Sequence, residues 1–465
     1  MPDRLMDAPA INQQAIDNLF TPGSVAVIGA SGVPGKWGYL AAEQALRDKS
    51  RRDVFLVNRT GGEIQGEDAY RRYSDIEAVP DLAVISVPRF AFEETIDEVL
   101  ARGTRSIVGI TAGFGEEGRE GRAVEERVVT KVREAGAAML GPNCMGVYDG
   151  HGGVRCMPWA ELTPGPVGFL SQSGGLIMDI SKRLAEVELG FSRVASVGNQ
   201  AHVQIPDVMG NLAADGGTRL VAIYIEDLAQ ADRLFESISG MVSGGKEIIL
   251  MTPHSTPGSV RAARAHTGST VTSMQATREK AAQAGAWYVS SPREMVTVAQ
   301  ALLAPNRTAG KRVAVISDTG GPGVLCSGLA EKQGLEVPEF GAALQGRLRG
   351  LLSPRAVVDN PVDLVDNITV EPMVDTLEVV LEAEEIDAVL MNIHVFVHES
   401  AELEVRTGKR IGRLAARSGK PVVVTSHSMD SPGVLAALRC GIPVYRDTGD
   451  AASGLALQCG CRSVG

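Results

Sequence analysis

One histidine and one carboxylate stand in settings that could be catalytic. His266 lies in the segment RAARAHTGSTV, whose small neighbours leave room for an imidazole that must move or be modified. Glu226 ends the apolar segment VAIYIE, and carboxylates at strand ends in open α/β sheets lie beside the ligand crevice. From these residues alone, a structural or solvated histidine and a solvated loop carboxylate remain alternatives.

Three glycine-rich segments are the second feature that could carry chemistry. They are SVAVIGASGVPGKWG from Ser24, PVGFLSQSGGLIMDI from Pro166 and RVAVISDTGGPGVLC from Arg312. Each pattern predicts a buried strand, a tight turn and then a helix whose first N–H groups and positive dipole end face an anion. A single turn of this kind can be only a tight connection, whereas three together favour anion binding.

The first turn does not match the dinucleotide fingerprint. GASGVPGKWG differs from G-x-G-x-x-G, and the next strand, DVFLVN, ends in Asn58 rather than in an acidic residue that could bind a ribose. Both differences count against an NAD-dependent oxidoreductase. Lys36 could contact a phosphate or be an ordinary surface lysine. The segment SQSGG resembles a nucleophile elbow only loosely, so a serine hydrolase is a weak alternative.

These residues must be positioned by an α/β fold. Apolar runs such as LAVISVP and SIVGITAG alternate with amphipathic stretches such as FEETIDEVLARG, a rhythm typical of parallel sheets. The repeat of the glycine turns and the length of 465 residues predict three modules. We expect an N-terminal extension over 1–19 and modules over 20–150, 151–305 and 306–465.

Composition excludes several classes of partner. The net charge is −11 and the basic residues are scattered, so nucleic acid and anionic membranes are poor candidates. The start of the chain lacks a signal-peptide pattern, and no apolar run is long enough to span a bilayer, which predicts a cytoplasmic protein. Six separated cysteines favour reduced thiols, and the histidines show no metal-binding spacing. Cys459 and Cys461 fit a frayed tail better than a metal site.

Eight segments, taken in order, resemble one family. They are GASGVPGKWG, ITAGFGEEG, LGPNCMG, FLSQSGG, SVGNQ, YIEDL, AHTGS and ISDTGGPG. Their order and spacing are similar to the α subunit of the NDP-forming acyl-CoA synthetases, the superfamily that includes succinyl-CoA synthetase. The resemblance implies a Rossmann-like CoA-binding domain followed by two flavodoxin-like domains of the succinyl-CoA synthetase type. It covers the chain from about Phe20 to the end.

The resemblance also implies a role for the histidine. In the family a histidine is phosphorylated through an acyl phosphate, and His266 matches its position, while Glu226 matches the carboxylate that holds the imidazole. The phosphohistidine lies between two helix N-termini in the family. The matching phosphate-binding residues here are Ser171, Gln172, Ser173 and Gly174 in the second module and Thr319, Gly320 and Gly321 in the third.

Coenzyme A contacts follow by motif position. They are expected at Gly29, Ala30, Ser31, Lys36 and Gly38 for the phosphates, at Asn58, Val87 and Pro88, and at Pro142 and Asn143 near the thiol end. No metal site is expected in this chain. ATP or ADP and Mg²⁺ would be bound by a separate ATP-grasp β subunit, in an α2β2 or similar hetero-oligomer whose other substrates are CoA and a small carboxylic acid.

Two segments depart from the family pattern. His202 and Gln204 stand where acidic residues are common, and MTPH, ending in His254, replaces a K-x-G step. The predicted function is an ADP-forming acid:CoA ligase. A CoA-binding or acyl-CoA-sensing protein that lost the transfer chemistry is the alternative that these departures leave open, and an NAD-dependent oxidoreductase is less favoured.

Overall fold

A computed structural model gives the architecture of most of the chain. It describes residues 11–158, 161–254, 256–259, 261, 274–365, 370–393 and 400–461. His266 lies outside the described residues. The chain divides into two compact units, the first made of residues 1–181 and 190–290, the second of residues 182–189 and 291–465.

The first sheet follows from the first glycine segment and the strands after it. Its elements are α1 (Gln13–Phe20), β1 (Ser24–Ile28), α2 (Trp37–Leu46), β2 (Asp53–Val57), β3 (Gly62–Ile64), β4 (Glu67–Tyr70), β5 (Leu82–Ile85), α3 (Arg89–Arg102), β6 (Ser106–Gly109), α4 (Arg119–Glu134) and β7 (Ala138–Leu140). The strand order is β3-β4-β2-β1-β5-β6-β7, parallel except for β3. Because helices cover both faces of such a sheet, its central strands are almost wholly apolar and buried.

The second sheet has the order β14-β13-β12-β10-β11-β8-β9. Its elements are β8 (Gly146–Asp149), β9 (Arg155–Cys156), β10 (Pro164–Ser171), α5 (Gly174–Glu186), β11 (Phe191–Ser196), α6 (Ile205–Ala214), β12 (Leu220–Tyr224), α7 (Ala231–Ser243), β13 (Glu247–Met251), α8 (Met274–Gln283) and β14 (Trp287–Val289). The five strands from β10 to β14 are parallel, in the flavodoxin-like order, and the hairpin β8-β9 extends the sheet antiparallel.

The third sheet lies in the second unit and has the order β16-β15-β17-β18-β19, all parallel. Its elements are α9 (Pro292–Leu303), β15 (Val313–Ser317), α10 (Gly320–Lys332), α11 (Ala342–Leu351), β16 (Val362–Asp363), α12 (Val370–Leu381), β17 (Ala388–Asn392), α13 (Ala401–Ser418), β18 (Val422–Thr425), α14 (Pro432–Arg439), β19 (Val444–Tyr445) and α15 (Thr448–Gln458). This is again the flavodoxin-like order.

The N-terminal segment is more than an extension. Helix α1 begins after Asn12, whose side chain accepts a hydrogen bond from the N–H of Gln14. Its apolar face, formed by Ala15, Ile16, Leu19 and Phe20, is fully buried in the core of the first unit. The part of the predicted N-terminal extension over 1–19 that the structure describes thus packs in the core, because an eight-residue helix with one apolar face must bury that face.

Two predicted boundaries also differ from the sheets. Strand β8 precedes position 151 yet pairs with β11 of the second sheet, so the second sheet begins at Gly146. Helix α9 lies within the predicted module over 151–305, while its contacts group it with the second unit. There Arg293 forms an ion pair with Asp450, and the hydroxyl of Tyr445 donates to the carbonyl of Thr297. These partners lie 157 and 148 residues away in sequence, so local sequence does not show this placement.

The expected frayed tail is wrong as well. Cys459 and Cys461 are both buried in the core of the second unit, beside Val313, Leu335 and Tyr445. Burial raises the pKa of the Cys459 thiol to about 12. These thiols therefore behave as small apolar core residues.

Candidate functional site

The turn after β1 is built for close approach of a ligand. Gly29 has φ of +89°, and a Cβ there would overlap the carbonyl of Ser86 at the end of β5. A Cβ on Gly38, at the start of α2, would overlap the carbonyl of Gly29. Strand β1 lies between β2 and β5, so the strand order reverses here and opens a crevice at the carboxyl ends of the strands.

Asn58 and Ser31 hold this turn in place. The Asn58 amide nitrogen donates to the carbonyl of Ala30 at 2.6 Å, and its oxygen accepts from the N–H and hydroxyl of Thr60 at 2.9 and 2.7 Å. The hydroxyl of Ser31 accepts from the N–H of Val33. Lys36 is exposed immediately before α2. The side chain of Asn58 thus fixes the loop, and its predicted contact with CoA stays a prediction.

A cavity of about 1300 Å³ occupies the crevice in the first unit. Nine of the ten residues predicted to contact CoA line it: Gly29, Ala30, Ser31, Lys36, Gly38, Asn58, Val87, Pro88 and Asn143. The tenth, Pro142, is buried beside Asn143. The same cavity reaches Gln172, Ser173 and Gly174, which follow strand β10 of the second sheet. One cavity therefore joins two sites that the sequence predicted separately.

Four arginines along this cavity were missed by the sequence reasoning: Arg59, Arg71, Arg72 and Arg89. Arg72 pairs with Asp75, and Arg89 lies 3.6 Å from Glu117. Arg59 and Arg71 form no ion pair with any acidic residue in the described part of the chain. Arg59 and Arg71 follow β2 and β4, on the side of the crevice where nucleotides bind in sheets of this class. This position after a strand is the sequence feature that could have identified them.

The turn after β10 carries its own hydrogen bonds. The buried hydroxyl of Ser171 donates to the carbonyl of Ser173 at 2.7 Å and accepts from the N–H of Ser173 at 3.1 Å. The hydroxyl of Ser173 accepts from the N–H of Leu176 at 3.4 Å. Helix α5 then begins at Gly174. Its N-terminus faces the cavity, where the dipole favours an anion, while Ser171 lies beneath the turn.

Gln172 connects this turn to Glu226. Its amide oxygen accepts from the N–H groups of Glu226 and Asp227 at 2.7 and 3.1 Å. The hydroxyl of Tyr224 donates to the Glu226 carboxylate at 3.1 Å, and burial, followed by this carboxylate, raises the pKa of Tyr224. Glu226 is half-buried at the end of β12, beside the turn. Its predicted partner His266 lies outside the described residues, so that pairing stays a prediction.

The turn after β15, in the second unit, repeats the same local design. The hydroxyl of Ser317 donates to the carbonyl of Thr319 at 2.6 Å and accepts from its N–H at 3.3 Å. Thr319, Gly320 and Gly321 are exposed at the start of α10. Asp318, between them and the strand, is buried.

The segment with His202 and Gln204 serves packing. The ring nitrogen Nδ1 of His202 accepts from the N–H of Met139 at 3.3 Å, and the N–H of Val203 donates to the carbonyl of Met139. Burial, with a smaller effect of Arg133, lowers the pKa of His202 to about 4. Gln204 precedes α6, and its N–H donates to the side chain of Asp207. These residues fasten the second sheet to the edge of the first.

Neither a cluster of metal ligands nor a membrane-spanning helix is found among the described residues. Within the described ranges, no group of three potential metal ligands comes together. No helix in that part of the chain is both long enough and apolar enough to cross a membrane.

The class of protein follows from comparison with known families. Residues 23–149 match the family described as a CoA binding domain, and residues 164–302 match the succinyl-CoA ligase like flavodoxin domain. The predicted fold is a CoA-binding Rossmann-like domain followed by two flavodoxin-like domains. The two family matches confirm the first two of these domains, and the third sheet has the flavodoxin-like strand order.

Whole-chain relatives define the family. The chain is 32% identical to the α subunit of ADP-forming acetate–CoA ligase II of Pyrococcus furiosus over 97% of its own length and 99% of the relative's. It is also 32% identical to ADP-forming acetate–CoA ligase I of Archaeoglobus fulgidus, covering 81% of this chain but 54% of that longer protein. The chain belongs to the family of ADP-forming acetate–CoA ligase α subunits, as the sequence resemblance predicted.

A solved structure agrees with this assignment. The dinucleotide forming acetyl-coenzyme A synthetase 1 of Ca. Korarchaeum cryptofilum, in complex with phosphate and ADP, is 26% identical. The similarity covers 96% of each chain with a TM-score of 0.83.

Proposed function

We propose that this chain is the α subunit of an ADP-forming carboxylic acid:CoA ligase, which interconverts acid, CoA and ATP with acyl-CoA, ADP and phosphate. The observation that carries the proposal is the single cavity that runs from the crevice of the CoA-binding sheet to the N-terminus of α5. Acyl transfer between CoA and phosphate needs both groups in one space.

Coenzyme A fits the crevice with its charged end at the first sheet. Lys36, Arg59 and Arg71 line this end and would neutralise its phosphates, while the turn at Gly29 lets the backbone approach closely. The pantetheine arm would then extend along the cavity toward Asn143 and the turn at Ser173. This direction brings the thiol to the anion-binding helix.

The chemistry would proceed through a phosphorylated histidine. The neutral imidazole of His266 takes the terminal phosphoryl group of ATP, forming a nitrogen–phosphorus bond as ADP leaves. The carboxylate of the acid then attacks that phosphorus, freeing the imidazole and giving an acyl phosphate. The thiolate of CoA attacks the acyl carbon, and phosphate leaves. Ser173, Gly174 and the α5 dipole would stabilise the phosphoryl group, and Glu226 would orient the imidazole.

A second subunit would supply the nucleotide site. The chain spans nearly all of the P. furiosus α subunit but only about half of the A. fulgidus ligase, so that longer relative contains a further part of comparable size. We infer that a separate ATP-grasp β subunit binds ATP and Mg²⁺ and joins this chain in an α2β2 or similar assembly in the cytoplasm. Acetate is the first acid to assay, since the relatives are acetate–CoA ligases.

Phosphate labelling tests the proposal. The chain is combined with its candidate β subunit and ATP labelled in the terminal phosphate, and acid-labile, base-stable label is measured. We expect label on the wild-type chain, its discharge by acetate and CoA, and none on His266→Asn. Full ligase activity in His266→Asn would contradict the mechanism. Tight CoA binding without any label would favour the sensing protein instead.

A further inference from the structure

Two half-buried carboxyl groups, those of Glu116 and Glu125, meet behind the wall of the cavity. The side-chain nitrogen of Asn199 donates to Glu116 Oε2 at 2.6 Å and to Glu125 Oε2 at 2.7 Å. Glu116 and Glu125 precede Asn199 by 83 and 74 residues and belong to the part of the chain that forms the first sheet. Asn199 follows strand β11 of the second sheet. Asn199 itself lines the cavity.

The surroundings of Glu116 and Glu125 determine the charge of Glu116. Burial alone would raise the pKa of Glu116, but the hydrogen bonds from Asn199 and from the N–H groups of Gly113 and Phe114 bring it below its usual value. Burial raises the pKa of Glu125. Glu116 is therefore an ionised carboxylate at neutral pH, and an ionised carboxylate only accepts hydrogen bonds.

The charge of Glu116 fixes the orientation of the side-chain amide of Asn199, which in turn fixes that of Asn143. The nitrogen of Asn199 must face Glu116, so its oxygen faces Asn143 and accepts from the Asn143 side-chain nitrogen at 3.2 Å. The backbone is held too, since the N–H of Asn199 donates to the carbonyl of Pro142 and the N–H of Asn143 to that of Thr111. With its nitrogen engaged, Asn143 keeps its amide oxygen as an acceptor, and no described residue donates to that oxygen.

Asn143 stands where the reactive end of CoA would lie. It lines the cavity together with Gln172 and Gly174. Met145, two residues on, packs against Gly174 at the start of α5. A group at this position meets the last part of the pantetheine arm, which carries only two kinds of donor, an amide N–H and the thiol.

We propose that Glu116 and Glu125 are positioning residues that act through Asn199 to present the side-chain oxygen of Asn143 to a donor on the pantetheine arm of CoA. The inference rests on the proposed function, because it takes CoA as the occupant of the cavity. Replacing the carboxylate of Glu116 by an amide puts a donor in place of the oxygen that accepts from Asn199 or of the oxygen that accepts from the N–H of Gly113. In the first orientation two donors meet at Asn199. Asn199 and then Asn143 would turn over, and Asn143 would offer a donor where an acceptor is needed.

Titration of the full chain with CoA and with desulfo-CoA, which lacks the thiol, tests this orientation. We expect Glu116→Gln to weaken CoA about fivefold to tenfold, the effect of one hydrogen bond. An equal loss with desulfo-CoA identifies the amide N–H as the donor, and a loss with CoA alone identifies the thiol. The conservative variant Glu116→Asp keeps an acceptor-only carboxylate, so it should retain more of the CoA affinity than Glu116→Gln does.

Controls separate positioning from folding. Glu126→Gln changes the exposed neighbour of Glu125 in α4 and should leave binding unaltered. Asn143→Ala removes the acceptor directly and should give the same loss even where Glu116→Gln folds poorly. Unchanged CoA affinity in both Glu116→Gln and Asn143→Ala, with the wild type binding CoA, would overturn this inference alone. A wild-type chain that binds no CoA would overturn the proposed function as well.

Discussion

The turns after β10 and β15 have the same hydrogen bonds and different charges. In each, a fully buried serine, Ser171 or Ser317, bonds both to the carbonyl and to the N–H of the residue two positions on. Each turn starts a 13-residue helix at a glycine. The residue after the serine differs, since the first turn has Gln172 and the second has Asp318.

The difference between Gln172 and Asp318 changes what each helix N-terminus offers to an anion. Gln172 is neutral, and its oxygen accepts from two backbone N–H groups just after the neighbouring strand β12. The dipole of α5 is therefore left for a ligand. Asp318 places a carboxylate at the N-terminus of α10. We therefore expect phosphate to bind more tightly at the turn after β10 than at the turn after β15.

The largest effect is expected from giving the first turn the charge of the second. Gln172→Glu keeps an oxygen to accept from the N–H groups of Glu226 and Asp227 but adds a negative charge beside the predicted phosphate site. We expect phosphohistidine labelling to fall about 100-fold, as when one stabilising donor is lost. Gln283→Glu, an exposed change in α8, is the control. Labelling at the wild-type rate would show that charge at this turn is unimportant.

Both turns were predictable from the sequence, and the reason is local. A β-branched run, a serine or threonine and paired glycines specify strand, turn and helix within about 15 residues. The parallel strands, the flavodoxin-like modules and nine of the cavity-lining residues follow from such patterns and from the family resemblance. The catalytic pairing of Glu226 with His266 remains a prediction.

Features that depend on distant contacts escaped prediction. The hydrogen bonds that link Glu116 to Asn199 and Asn199 to Asn143 join three segments that are far apart in sequence, and no local sequence pattern relates them. The helix α1 and the buried Cys461 lie at opposite ends of the chain, and only packing against remote strands shows that they belong to the cores. Arg71 is one arginine among many until the sheet order brings it to the crevice.

Lowering the pH should destabilise the first unit through protonation of His202. Its pKa is lowered to about 4 from an ordinary value near 6.5, so the unfolded chain binds the extra proton first as pH falls. The stability that the neutral ring confers is complete above pH 6.5 and is lost between pH 6.5 and 4. His202→Asn keeps an acceptor for the N–H of Met139 but does not titrate. Relative to this variant, we expect the wild type to lose about 2 kcal/mol on going from pH 7.5 to pH 5.

Chemical unfolding of both proteins at several pH values measures this difference. Because other groups in the chain also titrate, only the gap between wild type and variant is informative. A gap that does not change with pH would show that His202 does not titrate with a lowered pKa in the folded protein.

Removing the charge of Asp318 should strengthen phosphate binding at the turn after β15. Asp318→Asn removes the carboxylate before α10, and we expect the second unit to bind inorganic phosphate about fivefold to tenfold more tightly, as one close charge is removed. Phosphate-dependent thermal stabilisation of the variant chain reports this change. Asp430→Asn, at an exposed position of the same unit, is the control. Unaltered phosphate affinity would mean that charge does not limit the second turn.

The two turns should behave alike when their buried serines are replaced. Ser171→Ala and Ser317→Ala each remove a hydroxyl that is 0% exposed and makes one bond as donor and one as acceptor. Each change should lower the free energy of unfolding by about 1 to 2 kcal/mol, because a buried N–H and a carbonyl lose their partner. Denaturant titration gives the stability of both. Ligase activity, measured where both variants are folded, should fall more for Ser171→Ala, whose turn leads directly into the cavity. An equal loss of activity in both would show that the two helix N-termini contribute equally to catalysis, despite Asp318.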